Sequence, residues 1–503
     1  MKKLSRGDKT LRNKKTFLAI DLGASGGKAV AGTFDGENLL IEEVNRFPNL
    51  PAEINGHLHW DALRIHNDIL NSIEKAIDKF KDSLISVGID TWGVDFGLLD
   101  DKGYLLGNPF HYRDSLTNGI IGETTQKVSK ERIFELTGAH FEPFNTLFQI
   151  LAMKKYDLSY IRNAKYLLMM PSLFTYFLTG KITCEFTIAT TTQIFNPIKR
   201  EWSKELMKEF EIPDILPEIY QPGIIIGKTL KSISNSIGKE LDIVLPASHD
   251  SGSAVAAVPI FENENSMFIS SGTWCISGVE VKDPITDNRV LKYNFTNEGC
   301  LGGNYRLLKN VSGLWFVQKC LETWKEEDET LDYSKLTQMA IAAEPLKNFI
   351  DPNDLRFLNP PDMPSEIVAY CRETSQPLPE TKGEILRCAL QGIALRMKWV
   401  VEKLEELTNR RIEAIRIVGG GVRNELFCQL IADATDRVVY AGPIEATSLG
   451  NILAQMIATN EIKDVFEGRE IIRRSFEIKK YEPSKDERWL ILYDKFLEFM
   501  VDI

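Results

Sequence analysis

Several short stretches of this 503-residue chain place small residues beside a hydroxyl or a carboxylate, a composition suited to handling oxyanions. The first is Asp21-Leu22-Gly23-Ala24-Ser25-Gly26-Gly27-Lys28. Small residues let backbone N–H groups approach a phosphate closely. Ser25 adds a hydroxyl, Lys28 a positive charge, and Asp21 a carboxylate placed to hold Mg2+ through water. An ordinary glycine hairpin has the same composition. Ser270-Ser271-Gly272-Thr273 is a second polar glycine turn, and a pair of such turns could grip a polyphosphate from opposite lobes. Gly419-Gly420-Gly421 sits between an apolar strand and a helix. Three glycines clear room for a flat group such as adenosine near a helix N-terminus, although close strand–helix packing explains them as well. The loop is neither a P-loop nor a dinucleotide fingerprint.

Two further segments point to a hydroxyl acceptor. His249-Asp250 follows the apolar run Ile243–Leu245 and precedes a small-residue helix, Ser251–Ala257. A carboxylate at such a junction can take a proton from an alcohol, or it can simply cap the helix. Asp90-Thr91-Trp92-Gly93-Val94-Asp95 offers a tryptophan that could stack on a sugar, with Gly and Asp for close approach and hydrogen bonds. The alternative is a strand end with a core Trp. Asn310 and Gln318 are polar positions flanking Gly313-Leu314-Trp315 and stay ambiguous on these grounds.

These residues need elements to hold them. Thr16–Ile20 and Ala29–Phe34 read as strands around the first glycine turn, and Leu39–Phe47 extends the sheet. Asp61 reads as an N-cap, followed by Leu63, Ile69, Leu70, Ile73, Ile77 and Phe80 at helical spacing. Leu84–Asp90 is a short β-rich run. Residues 131–180 read mainly helical, and 181–245 mixed, with Pro197, Pro213, Pro217 and Pro222 marking turns. A new unit starts near 246. There Ser266–Ile269 and Trp274–Val281 repeat the opening hairpin, which suggests two related lobes. Lys382–Thr408 is a long amphipathic helix, Ala414–Val418 a buried strand, Asn424–Ala434 a helix, Val438–Tyr440 a strand and Ser448–Thr459 a helix.

Composition excludes several classes. Acids outnumber bases 71 to 60, so the net charge is -11, which argues against a nucleic-acid or polybasic membrane partner. Residues 1–15 are the exception and read as a basic leader, with seven bases and one acid, Asp8. No run reaches the length of a membrane span, and Tyr166–Leu178, the nearest, is interrupted by Pro171, Ser172 and Thr175. The seven cysteines read as reduced thiols of a cytoplasmic protein, and Cys371 and Cys388 could meet across a loop. No Cys or His spacing suggests structural zinc.

Taken together, the segments resemble the FGGY carbohydrate kinases over about residues 16–480. The resemblance is carried by His59-Trp60-Asp61, Gly88 to Asp95, His111-Tyr112-Arg113-Asp114, His249-Asp250, Ser271-Gly272-Thr273-Trp274, Leu308 to Trp315 and Ala441 to Thr447. It implies an α/β, two-lobed actin-like ATPase (ribonuclease H-like) fold with an interdomain cleft. Residues 16–245 would form the sugar- and phosphate-binding lobe, and 246–503 the nucleotide-binding lobe. It implies ATP-dependent, Mg2+-assisted phosphorylation of the C1 hydroxyl of L-rhamnulose. Ala24, Ser25, Gly26, Gly27, Lys28, Thr273, Gln318 and Gly421 would contact ATP. Gly93, His249, Asp250, Ser251 and Asn310 would contact the ketose, with Asp250 as proton acceptor. The chain departs from the usual pattern at Leu116, at Cys300 and at Val422-Arg423-Asn424, none of which touches the expected base. Rival readings are a kinase for fuculose, ribulose, xylulose or glycerol, an ATP-driven switch without a small acceptor, and a sugar sensor without turnover.

Overall fold

The computed structural model describes residues 14–262 and 264–501. Residues 1–13 of the expected basic leader lie outside them. The chain divides into two compact units. The first takes the chain up to Ala257 together with Asn297–Tyr305 and Thr447–Ser475. The second takes Val258–Thr296, Arg306–Ala446 and the chain from Phe476 onward.

In the first unit, Leu39–Pro48, Gly26–Phe34 and Lys15–Leu22 follow one another antiparallel. Lys15–Leu22 pairs parallel with Leu84–Thr91, and that strand pairs parallel with Asp242–Leu245. Ile224–Lys228 closes the edge antiparallel. In the parallel central strands nearly every residue is buried, as expected for a sheet covered on both faces. Helix Ala62–Phe80 covers the sheet with Ile65, Ile69, Ile73 and Ala76, and Asp61 caps it by accepting from the Arg64 N–H. Leu63 does not join that face and is 60% exposed, because it falls outside the three- and four-residue steps of the other four.

The second unit repeats the plan. Trp274–Val281 is antiparallel to Ser266–Ser271, which pairs parallel with Ala414–Val418 and, through it, with Val438–Ala441. Lys479–Tyr481 closes the edge antiparallel, and Tyr305–Ser312 neighbours Trp274–Val281. Five successive strands of each sheet therefore show the same run of parallel and antiparallel pairings, in sheets of six and seven strands, which gives the two-lobe repeat a structural basis. Helix Lys382–Thr408 starts at a capping box of Thr381 and Glu384. Its buried Arg396 pairs with buried Asp351, Nε to Oδ1 at 3.1 Å and Nη2 to Oδ2 at 2.5 Å. The run Tyr166–Leu178 is strand Tyr166–Met169 followed by helix Met170–Thr179. Among the described residues, no helix is long and apolar enough to cross a membrane.

Helix Ala446–Ala458 packs into the first unit through polar contacts to the sheet backbone and side chains. Gln455 Nε2 donates to the Leu18 carbonyl at 3.0 Å and Ser86 Oγ donates to Gln455 Oε1 at 2.7 Å. Its Gly450 lies so close to helix Asp250–Ala256 that a Cβ there would overlap the Ser253 carbonyl oxygen. The obstacle is backbone and cannot swing aside. Gly450→Ala is therefore expected to destabilise the protein by about 1–3 kcal/mol, read as a fall of several degrees in thermal melting. An unchanged melting temperature would show that the two helices are not in register here.

Candidate functional site

The Asp21–Lys28 segment is shorter as a turn than its glycines suggest. Asp21 pairs across the ladder with Lys28, and Leu22 with Gly27, so Gly26, Gly27 and Lys28 are strand residues. The turn itself is Gly23-Ala24-Ser25, closed by the Gly23 N–H donating to the Gly26 carbonyl at 2.9 Å. Asn49 braces it from outside, with Nδ2 donating to the Gly23 carbonyl at 2.9 Å. Lys28 Nζ stands 3.1 Å from Asp21 Oδ2. The predicted phosphate contacts Ala24 to Lys28 and the predicted metal carboxylate Asp21 thus form one hairpin tip.

Asp21 also faces Asp90 on the parallel neighbour strand. Asp90 is fully buried, and its Oδ2 accepts from Asn451 Nδ2 at 2.6 Å. Burial, the Asp21 charge and, more weakly, the Asp250 charge push its carboxyl well above the usual range. Its Oδ1 is buried without a hydrogen-bond partner. Crowded carboxylate oxygens with one left unmatched suit a hard divalent cation held through water. Among the described residues, no three Asp, Glu, His or Cys side chains converge as a closed metal cage.

Asp250 is the first residue of helix Asp250–Ala256, and His249, not Asp250, occupies the N-cap position. The Asp250 side chain is 31% exposed, and its Oδ1 accepts from the Ser251 N–H at 2.6 Å. The Asp250 carboxylate thus meets one first-turn N–H of its helix without occupying the N-cap position. His249 Nδ1 lies 3.1 Å from Glu298 Oε2 and 3.1 Å from Ser251 Oγ, so His249, Asp250 and Ser251 act as one polar group.

The turn that carries them is fixed by Glu185, a residue sequence reasoning missed. Its buried carboxylate accepts from the Thr187 N–H at 2.8 Å, the Thr187 hydroxyl at 2.5 Å and the Ser248 N–H at 2.9 Å. The same Thr187 hydroxyl oxygen accepts from the His249 N–H at 3.1 Å. Burial pushes the Glu185 carboxyl up to about 7, opposed by these donors.

Gly93 lies beside Thr191, where a Cβ would meet Thr191 side-chain atoms at 3.2 Å. The next residue, Val94, has φ +68°, a strained conformation for a β-branched side chain. It is held there by its N–H donating to Thr191 Oγ1 and its carbonyl accepting from Thr146 Oγ1. Trp92 does not offer an open stacking face. It is buried, Trp60 lies against it at 4.1 Å between centroids, and its indole N–H donates to Asp95 at 3.0 Å.

In the second unit, three of the predicted ATP contacts come together. Thr273 Oγ1 donates to Gln318 Oε1 at 3.2 Å. The Gly313 N–H donates to the Thr273 carbonyl and the Leu314 N–H to the Gly272 carbonyl, both at 3.0 Å. Gly419, at φ +87°, would place a Cβ 2.7 Å from the Ser271 carbonyl oxygen, and a Cβ on Gly421 would overlap Ser271 Oγ. Gly419 and Gly421 thus let the loop lie close against Ser271, whereas Gly420 faces open space. Gly420 and Gly421 already belong to a short 3-10 turn, Gly420–Arg423, which is followed by helix Glu425–Thr435, capped by Asn424. Asn310 stands on strand Tyr305–Ser312, which leads into Gly313.

The N-terminal domain of the FGGY family of carbohydrate kinases matches residues 16–257 and its C-terminal domain matches residues 267–459. The chain belongs to this family. Its relatives include proteins named rhamnulokinase. The one from Oceanobacillus iheyensis is 40% identical, over 92% of this chain and 97% of its own length. The one from Bacteroides thetaiotaomicron is 38% identical, over 96% and 99%. Solved structures of the same fold include gluconate kinase from Lactobacillus acidophilus, at TM-score 0.80 and 18% identity over 97% of each chain. Plasmodium falciparum glycerol kinase with ADP follows at TM-score 0.78 and 17% identity, over 97% and 98%. The fold is the α/β actin-like ATPase fold.

Two outcomes follow from this geometry. Gly421→Ala is expected to raise KM for ATP roughly tenfold while leaving KM for the sugar near wild type, since overpacking costs about 1–3 kcal/mol; steady-state kinetics with each substrate varied decide it, and an unmoved ATP KM counts against the loop as a nucleotide surface. Glu185 has a folded-state value above its unfolded one. Its contribution to stability is therefore full below about pH 4.5 and is lost as pH rises through about 7. Melting curves across that window should fall less steeply for Glu185→Gln than for wild type, and parallel curves would rule out a buried, titrating Glu185.

Proposed function

We propose that this protein transfers the γ-phosphoryl group of ATP to the C1 hydroxyl of L-rhamnulose, giving L-rhamnulose 1-phosphate and ADP, a step of L-rhamnose catabolism in the cytoplasm. The relatives named rhamnulokinase, at 37–40% identity along nearly the whole chain, support the choice of sugar. The observation that carries the chemistry is Asp250, a partly accessible carboxylate at the head of a helix, beside His249 and Ser251.

Asp250 accepts the C1 hydroxyl proton. The hydroxyl oxygen attacks the γ-phosphorus, and the bond from that phosphorus to the bridging oxygen breaks, leaving its electron pair on ADP. Such a transfer asks the protein chiefly for positioning and for charge stabilisation. The backbone of Ala24, Ser25, Gly26 and Gly27, with the Lys28 ammonium, meets the phosphates, and Thr273, Gln318 and Gly421 meet the rest of the nucleotide. Gly93, His249, Ser251 and Asn310 orient the ketose. Asp21, through water, is the residue that would hold Mg2+, and the unmatched Asp90 oxygen beside it suits the same ion. When bound, the ion neutralises charge on the β- and γ-phosphates.

Asp250→Asn is expected to lower kcat by about 10²–10⁴-fold, measured by coupled ADP release, and near wild-type turnover would remove Asp250 as the base. A panel of L-rhamnulose, fuculose, ribulose, xylulose and glycerol should show its highest kcat/KM with L-rhamnulose. Equal values across the panel would overturn the choice of sugar.

A further inference from the structure

Asp95 is buried and uncharged side chains surround it. Its Oδ2 accepts from Trp60 Nε1 at 2.6 Å, Trp92 Nε1 at 3.0 Å and the Tyr112 N–H at 3.1 Å. Its Oδ1 accepts from Gln149 Nε2 at 2.8 Å. All four partners donate, so both oxygens must accept, and only the ionised carboxylate can satisfy the whole set. Gln149 cannot turn its amide over without cost, because the same Nε2 also donates to the Phe144 carbonyl at 2.8 Å.

Three of the four donor residues, Trp60, Trp92 and Tyr112, belong to a column of rings. Trp92 lies against Trp60 at 4.1 Å, Trp60 stacks on His111 at 4.1 Å, and His111 stacks on Tyr112 at 4.6 Å. Trp92, Trp60 and His111 are buried, whereas Tyr112 is half-buried and meets Phe144 edge-on at 5.7 Å. Burial raises the Tyr112 phenol, opposed by the Arg113 charge, and the Asp95 charge and, least, the Asp250 charge add to the rise. The Asp95 backbone closes the same loop, with its N–H donating to the Gly93 carbonyl at 2.9 Å and its carbonyl accepting from the Met170 N–H at 3.0 Å.

We propose that Asp95 is a positioning residue for the sugar: by tying Trp60, Trp92 and the Tyr112 backbone to one carboxylate, it presents the Tyr112 ring and the Gly93 backbone to the ketose beside Asp250. An aromatic face next to a general base packs against the apolar C–H face of a sugar while the hydroxyls turn to polar groups. This inference rests on the reading of the site as a ketose kinase and adds to it the wall that binds the sugar.

The charge state of Asp95 makes the inference testable. Burial pushes its carboxyl up to about 7, against the pull of Trp60, Gln149, Trp92 and Tyr112. The other titratable groups along the column are His111, pushed down to about 4 by burial and the Arg113 charge, and Tyr112, pushed up. Both are uncharged around neutrality. Beyond them, Arg113 lies over the Tyr112 ring, and Asp250 lies on its far helix. As pH falls through about 7, a proton on Asp95 takes an acceptor position from one donor and the column loosens.

The test is KM for L-rhamnulose across about pH 6 to 8 in wild type, Trp60→Phe and Asp95→Asn, with kcat followed in parallel. Wild-type KM should rise as pH falls. Trp60→Phe keeps the ring and removes one donor to the carboxylate, so the midpoint of that rise should move to higher pH. Asp95→Asn should raise KM roughly tenfold or more at every pH, abolish the rise, and change kcat by less than about threefold. If Asp95→Asn does not fold, the wild-type and Trp60→Phe profiles decide alone. A wild type that turns over a different ketose and not L-rhamnulose sinks the choice of sugar only, and the series is then run on the sugar it accepts. A flat wild-type KM on an accepted sugar, or a midpoint that Trp60→Phe leaves in place, overturns the role of Asp95.

Discussion

A carboxylate taken out of water without a cation beside it has to be met by hydrogen-bond donors. The first unit is organised around that demand. Glu185 gathers the Thr187 N–H and hydroxyl and the Ser248 N–H, which fixes the turn ahead of Asp250. Asp95 gathers two indoles, an amide and a backbone N–H, which fixes the loop that carries Gly93. Asp90 receives one donor from Asn451 and keeps one oxygen unmatched. The first two are satisfied and rigidify their surroundings. The third keeps a buried oxygen that a cation held through water could meet. Partial exposure of Asp250 sets it apart from all three, as suits a group that meets a substrate.

Much of the fold was legible because its signals are local. The glycine turns between Lys15–Leu22 and Gly26–Phe34, and between Ser266–Ser271 and Trp274–Val281, lie within a few residues of the strands they join. The helix Lys382–Thr408 was legible from its long amphipathic pattern, and the capping box of Thr381 and Glu384 sets its start. The extent of the first turn was not legible. Register and the Asp21–Lys28 ion pair draw Gly26 and Gly27 into the strand, and composition does not encode register.

The site was legible in its acceptor but not in its supports. Asp250 stands at a visible strand-to-helix junction. Glu185 reaches Ser248 across 63 positions, and Asp95 reaches Trp60 across 35 and Gln149 across 54. Links of that span exist only once the sheet has formed. The Trp60 and Asp95 positions stand in sequence motifs, and the Asp90–Asp95 segment left open either a sugar-stacking Trp or a strand end with a core Trp. In the structure the indole of Trp92 is core, its N–H is spent on Asp95, and the half-buried ring of the column is Tyr112. The indole N–H of each core tryptophan needs an acceptor, and that need is the feature of the sequence that Asp95 answers.

Transfer by this route depends most on where the Asp250 carboxylate lies when both substrates are bound. The decisive measurement is a crystal structure of the protein with L-rhamnulose and an unreactive ATP analogue. It should place an Asp250 oxygen about 2.6–3.2 Å from the C1 hydroxyl, on the side away from the γ-phosphorus. A structure with that hydroxyl in reach of a different base, and Asp250 many ångströms away, would contradict it.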